Sequence, residues 1–187
     1  MVKKIIIGIT GLTGAGKDTV ANYLVKHGFV YSSLSDCIRD ECAKKNIYMN
    51  RDNLILVGNQ MRAEHGIDIM AKRALKKIEN SISKKFVLVS IRNLHELNYL
   101  KRLGGLIMIA VTAPIEMRYR RNAKRGRTED AVTFEEFKAQ EERERSGGEK
   151  EQQLDKVIDQ ADLIIDNSSC IEETLHQVDN ILNKIIE

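Results

Sequence analysis

Between positions 11 and 19 the chain reads Gly-Leu-Thr-Gly-Ala-Gly-Lys-Asp-Thr. That spacing of three glycines and a lysine suits the binding of a phosphate chain. Gly11, Gly14 and Gly16 let backbone N–H groups converge on an anion with no Cβ in the way. Lys17 then extends past them as a mobile point charge. Thr13 and Ala15 complete the turn, and Asp18 and Thr19 start whatever follows it. In many such loops a Ser or Thr comes directly after the lysine and offers its hydroxyl to magnesium. Here Asp18 stands there, and Thr19 comes one place later.

A second set of residues with anion chemistry lies further on. Arg118, Arg121 and Arg125 are spaced i, i+3 and i+7, which puts them on one face of a helix. Six basic residues fall within Arg118 to Arg127, and they repel one another unless an anion sits among them. Arg120 and Lys124 read as a solvated face balanced by the acidic run from Glu129 to Glu151. Arg121 and Arg125 read as phosphate contacts. A nucleic-acid surface is disfavoured, because Tyr119 is the one aromatic residue in this stretch and stacking needs more.

The elements that must carry these residues follow from periodicity. Ile5-Ile6-Ile7-Gly8-Ile9 is a β-branched run typical of a strand buried on both faces. Val20, Leu24 and Val25 then recur at helical spacing, so the glycines lie where a buried strand turns into a helix. In that context the helix points its positive end at the anion held by the loop. Further strands are expected at Phe29 to Ser33, Phe86 to Ile91, Leu106 to Val111 and Ala161 to Asp166. Helices are expected at about Cys37 to Lys45, Arg51 to Glu64, Asp68 to Ser81, Asn93 to Arg102 and Pro114 to Arg125. Three more follow, from Thr133 to Arg145, where Thr133 and Glu136 have capping-box spacing, from Leu154 to Ile158 and from Ile171 to Ile186. Alternating strands and helices imply a parallel sheet covered on both faces. The second and third strands are separated by far more chain than a usual crossover, and the excess reads as an inserted acceptor-binding region.

At 187 residues the chain suits one domain. Thirty basic against 27 acidic residues give +3, too mild a charge for a nucleic-acid scaffold. Cys37, Cys42 and Cys170 show neither zinc spacing nor a C-x-x-C motif and are expected as reduced thiols of a cytoplasmic protein. The apolar start breaks into glycines and Lys17, unlike a signal peptide, and no stretch is long enough to span a bilayer. His65 and His95 have no metal-ligand partners at useful spacing.

Taken together, G-x-x-G-A-G-K-x-T, then L-S-D-C-I-R, then I-R after a buried strand, then P-I-E-M-R-Y-R-R-N-A-K-R-G-R resemble the nucleoside monophosphate kinase-like P-loop proteins. The likeness is to the adenylate kinase and dephospho-coenzyme A kinase group, closest to archaeal-type uncharacterised P-loop kinases, and it covers almost the whole chain. It implies a three-layer α/β/α P-loop kinase fold with a five-stranded parallel sheet, an inserted helical acceptor-binding region and a short helical lid. The implied boundaries are one domain over 1–187, with a core of 1–34, 84–125 and 149–187, an acceptor-binding insertion of 35–83 and a lid of 126–148.

The resemblance further implies an ATP-dependent kinase of a (deoxy)nucleoside monophosphate, with ATP and Mg2+ as cofactors and a small-molecule phosphate acceptor as partner. Dephospho-coenzyme A is the alternative acceptor, and a non-catalytic nucleotide sensor is the alternative of another class. The protein is expected as a monomer or homodimer with no nucleic-acid or membrane partner. Gly11 to Thr19 would hold the donor, and Lys17, Arg121 and Arg125 would act on the transferred phosphoryl group. Asp36, Arg39, Arg62 and Arg92 would bind the acceptor; Arg143 and Arg145 resemble arginines that close over the γ-phosphate, and the E-E-R-E-R run reads equally well as i,i+4 helix charge pairing. Relatives carry an aspartate at the end of the third strand for the waters of magnesium. This chain reads Val89-Ser90-Ile91-Arg92 there, so Asp18 and Asp36 are the expected metal-associated carboxylates.

Overall fold

The structure, a computed structural model, describes residues 4–102, 104–125, 133–148 and 151–186. Five strands form one sheet: β1 (Ile5–Thr10), β2 (Val30–Ser33), β3 (Lys85–Val89), β4 (Leu106–Thr112) and β5 (Leu163–Asp166). Their order is β2-β3-β1-β4-β5, and all four pairings are parallel. The helices between them are α1 (Lys17–Lys26), α2 (Asp36–Lys44), α3 (Arg51–His65), α4 (Ile69–Glu79), α5 (Leu94–Lys101), α6 (Ile115–Arg125), α7 (Phe134–Arg145), α8 (Leu154–Ile158) and α9 (Ile171–Ile186). This is the doubly covered parallel sheet that the alternation of elements predicts.

Strand periodicity divides the core in two. Ile6, Phe86, Leu88 and Met108 face one side, where Met70, Ala74 and Ile78 of α4, Leu97 and Leu100 of α5 and Val157 of α8 cover them. Ile7, Ile9, Val87, Val89, Ile109 and Val111 face the other, against Val20 and Leu24 of α1 and Val178, Ile181 and Leu182 of α9. Near-continuous apolar runs are what a strand buried on both faces requires. β1 is the central strand, and its neighbours β3 and β4 come later in the chain on either side. The chain therefore leaves β1 over the crevice at the carboxyl edge of the sheet, where ligands of open α/β sheets bind.

Three helices, α2, α3 and α4, fill the stretch between β2 and β3. Asn50 caps α3 by accepting from the Asn53 N–H at 2.8 Å, and Asn93 caps α5 by accepting from the His95 N–H at 2.8 Å. Thr133 and Glu136 form the expected capping box at the start of α7, at 3.1 and 3.0 Å. No described helix is long and apolar enough to cross a membrane. Cys37, Cys42 and Cys170 are free thiols.

Candidate active site

The residues from Thr10 to Lys17 leave the end of β1 and enter α1 over a cavity of about 850 Å3. Close packing, as well as backbone freedom, demands glycine in this loop. Gly14 has φ 79° and Gly16 φ 105°. A Cβ on Gly14 would collide with the backbone carbonyl of Arg118, and one on Gly16 with the side-chain amide of Asn167. The loop is thus wedged between α6 and the segment after β5. Asn167, only 5% exposed, locks that wedge. Its Nδ2 donates to the Ala15 carbonyl at 2.8 Å, and its Oδ1 accepts from Thr174 of α9 at 2.9 Å. Its backbone carbonyl accepts from Arg121 Nη2 at 3.0 Å.

Gly16 is the N-cap of α1 and supplies no side-chain cap. Lys17 Nζ donates to the carbonyls of Gly11 and Leu12, each at 2.8 Å. Burial first, and the Arg92 charge after it, push its ammonium pKa down to about 7. The negative charges of Glu144 and Asp18 oppose this shift, while Arg125 adds a smaller lowering. In the free protein Lys17 therefore loses its charge as pH rises through about 7. An anion that does not itself titrate, such as sulfate, should then bind more weakly by up to about tenfold per pH unit above that point. Titration calorimetry on the wild type and Lys17→Met checks this. Sulfate affinity that stays flat with pH in the wild type would show that Lys17 keeps its charge.

The expected site residues converge on this one cavity. Thr13, Gly14, Gly16, Lys17, Asp18 and Thr19 line it from the loop and the start of α1, Asp36, Arg39 and Arg62 from α2 and α3, Arg92 from the segment after β3, and Arg121 and Arg125 from α6. Gly11 and Ala15 are buried beneath. The guanidinium of Arg39 makes no hydrogen bond or ion pair among the described residues. Arg121 Nη1 is buried without a hydrogen-bond partner. Arg125 donates to Asn122 Oδ1 at 3.0 Å.

Several expectations need revision. Arg118 shares a helical face with Arg121 and Arg125 but does not line the cavity: it is 4% exposed and pairs with Glu141 of α7, which pulls α6 and α7 together. Arg62 reaches the cavity wall, but its guanidinium is held by Glu96 at 3.0 Å and Asn59 at 3.2 Å. It braces α3 against α5. Arg143 and Arg145 do not line the cavity. Arg145 instead grips both carboxylate oxygens of Asp155 at 3.0 Å, tying α7 to α8. Gly126 and Arg127, with the first part of the expected lid, lie outside the described residues. Tyr119 stacks against Phe134 and Phe137 at 5.2 and 5.7 Å between ring centroids, an apolar seam between α6 and α7. Arg120 and Lys124 are exposed, as expected.

The end of β3 also differs from the expectation. Val89 is 2% exposed and packs into the core, so a carboxylate at that position would be driven into apolar surroundings. Ser90, with φ 65°, is the residue that turns into the cavity and bonds Ser33 Oγ at 3.2 Å. For magnesium, Asp18 and Asp36 both line the cavity. Tyr31 lies close enough to both that, after its burial, their charges raise its phenol pKa. Among the described residues there is no group of three or more His, Cys, Asp or Glu that could hold a metal. Two carboxylates fit magnesium nonetheless, because the ion keeps most of its waters and takes phosphate oxygens as ligands.

Three residues at this site escaped the reading of the sequence: Glu144, Gln152 and Asn167. Glu144 is 3% exposed, lies 3.5 Å from Arg92 and accepts from Thr13 Oγ1 at 3.4 Å. Gln152 Oε1 accepts from Arg92 at 3.1 Å. A usable signal existed for Glu144. Phe137, Glu141 and Glu144 fall at i, i+4 and i+7, so the inward stripe of α7 carries two acids.

A family model described as an AAA domain matches residues 7–145 of the chain. A UPF0200 protein of Methanocaldococcus jannaschii is 31% identical over 184 residues, covering 97% of this chain and 91% of its own. Another, from Methanothermobacter thermautotrophicus, is 32% identical and covers 98% and 92%. Among solved structures, TT1252 from Thermus thermophilus superposes with a TM-score of 0.67 at 21% identity over 97% of this chain and 98% of that one. The shikimate kinase from Bacteroides thetaiotaomicron gives a TM-score of 0.60 at 13% identity over 98% and 99%. At these identities the two structures speak for the fold alone, which is that of the P-loop kinases.

Proposed function

The chain belongs to the AAA-domain family, with UPF0200 proteins among its relatives, and on that premise we propose that it is an ATP-dependent phosphotransferase acting on a nucleoside monophosphate. The observation that carries this reading is that cations line both ends of one cavity. Lys17 sits at the loop end, and Arg39, whose guanidinium is unpartnered among the described residues, lies at the other. A protein that only held ATP would need the first and not the second.

In this reading the loop amides and Lys17 hold the β- and γ-phosphates. Arg39 and Arg92 grip the phosphate of the acceptor, whose oxygen attacks the γ-phosphorus as the bond to the β–γ bridging oxygen breaks. Arg121 and Arg125 face the charge spread over the transferred group. Such catalysis rests on positioning and charge neutralisation, not on a covalent nucleophile. Magnesium, when bound, would supply charge neutralisation to the phosphates, and Asp18 and Asp36 would be the carboxylates that order its waters. The helices between β2 and β3 form the acceptor wall, with Leu54, Ile55 and Gly58 of α3 lining it. In this reading α7 serves as a lid that excludes water during transfer.

Turnover with ATP and a panel of nucleoside monophosphates tests the reading, with dephospho-coenzyme A included as the competing acceptor. Arg39→Ala and Arg92→Ala should each weaken acceptor binding by roughly 1.5–3 kcal/mol, the worth of a charge-assisted hydrogen bond. Their KM for ATP should change much less. Variants that lose ATP affinity and keep that for the acceptor would reverse the two ends of the site. A wild-type enzyme that turns over no member of the panel would sink the proposal.

A further inference from the structure

The position of Glu144 is unusual for a carboxylate. It lies at the junction of the two ends of the cavity, against a loop hydroxyl (Thr13, 3.4 Å) and an acceptor-end guanidinium (Arg92, 3.5 Å). Its charge is also felt at Lys17. The two donors in contact with it, a hydroxyl and a guanidinium, are what a phosphate oxygen would seek. An isolated carboxylate buried to this degree would be costly, and here a set of cations and a hydroxyl offsets the cost.

We propose that Thr13 and Arg92 form a phosphoryl subsite whose resident anion is the Glu144 carboxylate, and that ligand phosphate binds there by exchanging with it. The inference rests on the phosphotransfer reading above and adds a specificity-determining residue to it. Comparison with Glu141 on the same face of α7 separates exchange from a plain structural ion pair. Glu141 meets Arg118 where both side chains are nearly sealed, at 7% and 5% exposure. Arg92 keeps 30% of its side chain exposed while paired with Glu144, and it lines the cavity that a ligand would enter. One glutamate is therefore closed off with its partner, while the other shares a partner with the ligand space.

Two consequences follow from such an exchange. A phosphoryl group brings up to two negative charges to donors now satisfied by one, so it displaces the carboxylate where a singly charged or neutral ligand does not. The subsite then selects phosphorylated ligands by competition as well as by fit. Second, Glu144 holds the end of α7 against the loop before the ligand arrives, so the cationic centre does not stand open and mutually repulsive.

Isothermal titration calorimetry with inorganic pyrophosphate on the full chain tests this. Glu144→Gln should bind pyrophosphate roughly tenfold more tightly than the wild type, because the competing anion is gone. Glu144→Asp keeps the charge on α7 but withdraws the carboxylate by one methylene, and it should shift in the same direction. Glu142→Gln, on the exposed face of the same helix, should match the wild type. Thermal melts of each variant establish that it is folded, and Glu144→Asp carries the test if the glutamine variant is not. Equal or weaker binding by Glu144→Gln would overturn the proposal. So would tighter binding by Glu144→Gln alone, which assigns the effect to overall charge. A wild type that transfers phosphate while failing these comparisons defeats the exchange and leaves the phosphotransfer reading standing. A wild type that neither binds pyrophosphate nor transfers phosphate removes both.

Discussion

Lys17→Ala should lower turnover by a factor on the order of a thousand or more, as loss of a cation on the transferred group does in a water-excluded site. The fold should survive this loss. Lys17 Nζ touches only the loop's own carbonyls of Gly11 and Leu12, and no core contact depends on it. The linkage of its titration points the same way. Its folded value of about 7 lies below the ordinary 10.5, so between those values the unfolded chain binds more protons than the native one. Stability contributed by this group therefore rises with pH across that window and is not lost when the ammonium is removed. A thermal melt beside the kinetic assay checks both halves. Full activity in the variant would remove the phosphate-loop reading altogether.

Glu141→Ala should be the most destabilising single change among the residues around the cavity. It strands the Arg118 guanidinium, 4% exposed, with no compensating charge. Breaking one half of a buried pair typically costs about 3–5 kcal/mol. For a chain of this size that corresponds to a fall in melting temperature of roughly ten degrees. Arg118 also donates to the Ala113 carbonyl at 2.8 Å and to the Thr13 carbonyl at 3.4 Å, so disorder there reaches the loop and should raise the KM for ATP as well. Replacing both partners with methionine should recover most of the stability, because an apolar pair leaves no orphaned charge. A Glu141→Ala melting point within two or three degrees of the wild type would mean that Arg118 finds water or another acid.

These two residues show what could and could not be read from the chain. The placement of Lys17 was legible because its setting is local. Strand, glycines and helix are contiguous, and the apolar periods of Ile5 to Ile9 and Val20 to Val25 fix their geometry. The sheet was legible for the same reason, since each strand announces itself by an apolar run and parallel connection follows from the intervening helices. The role of Arg118 was not legible, because position on a helical face does not reveal what that face meets. Arg118 and Arg121 lie one turn apart, yet one is sealed against Glu141 and the other lines the cavity. Arg143 and Arg145 were drawn toward the site by likeness, while Glu144 between them is the residue that enters it. A helical charge run carries both possibilities, and only the packing of α7 on α6 selects one. Val89 and Ser90 illustrate the same limit at a strand end, where a shift of one position exchanges core for cavity.

The bond from Asn167 to the carbonyl of Ala15 spans 152 positions of sequence. At ordinary rates of synthesis the segment after β5 is made on the order of ten seconds after the loop it braces. A nascent chain thus carries its glycines and Lys17 long before the wedge of Asn167 and α9 exists to set them. Chain order here delays the completed setting of the glycine loop until the sheet it stands on has its last strand.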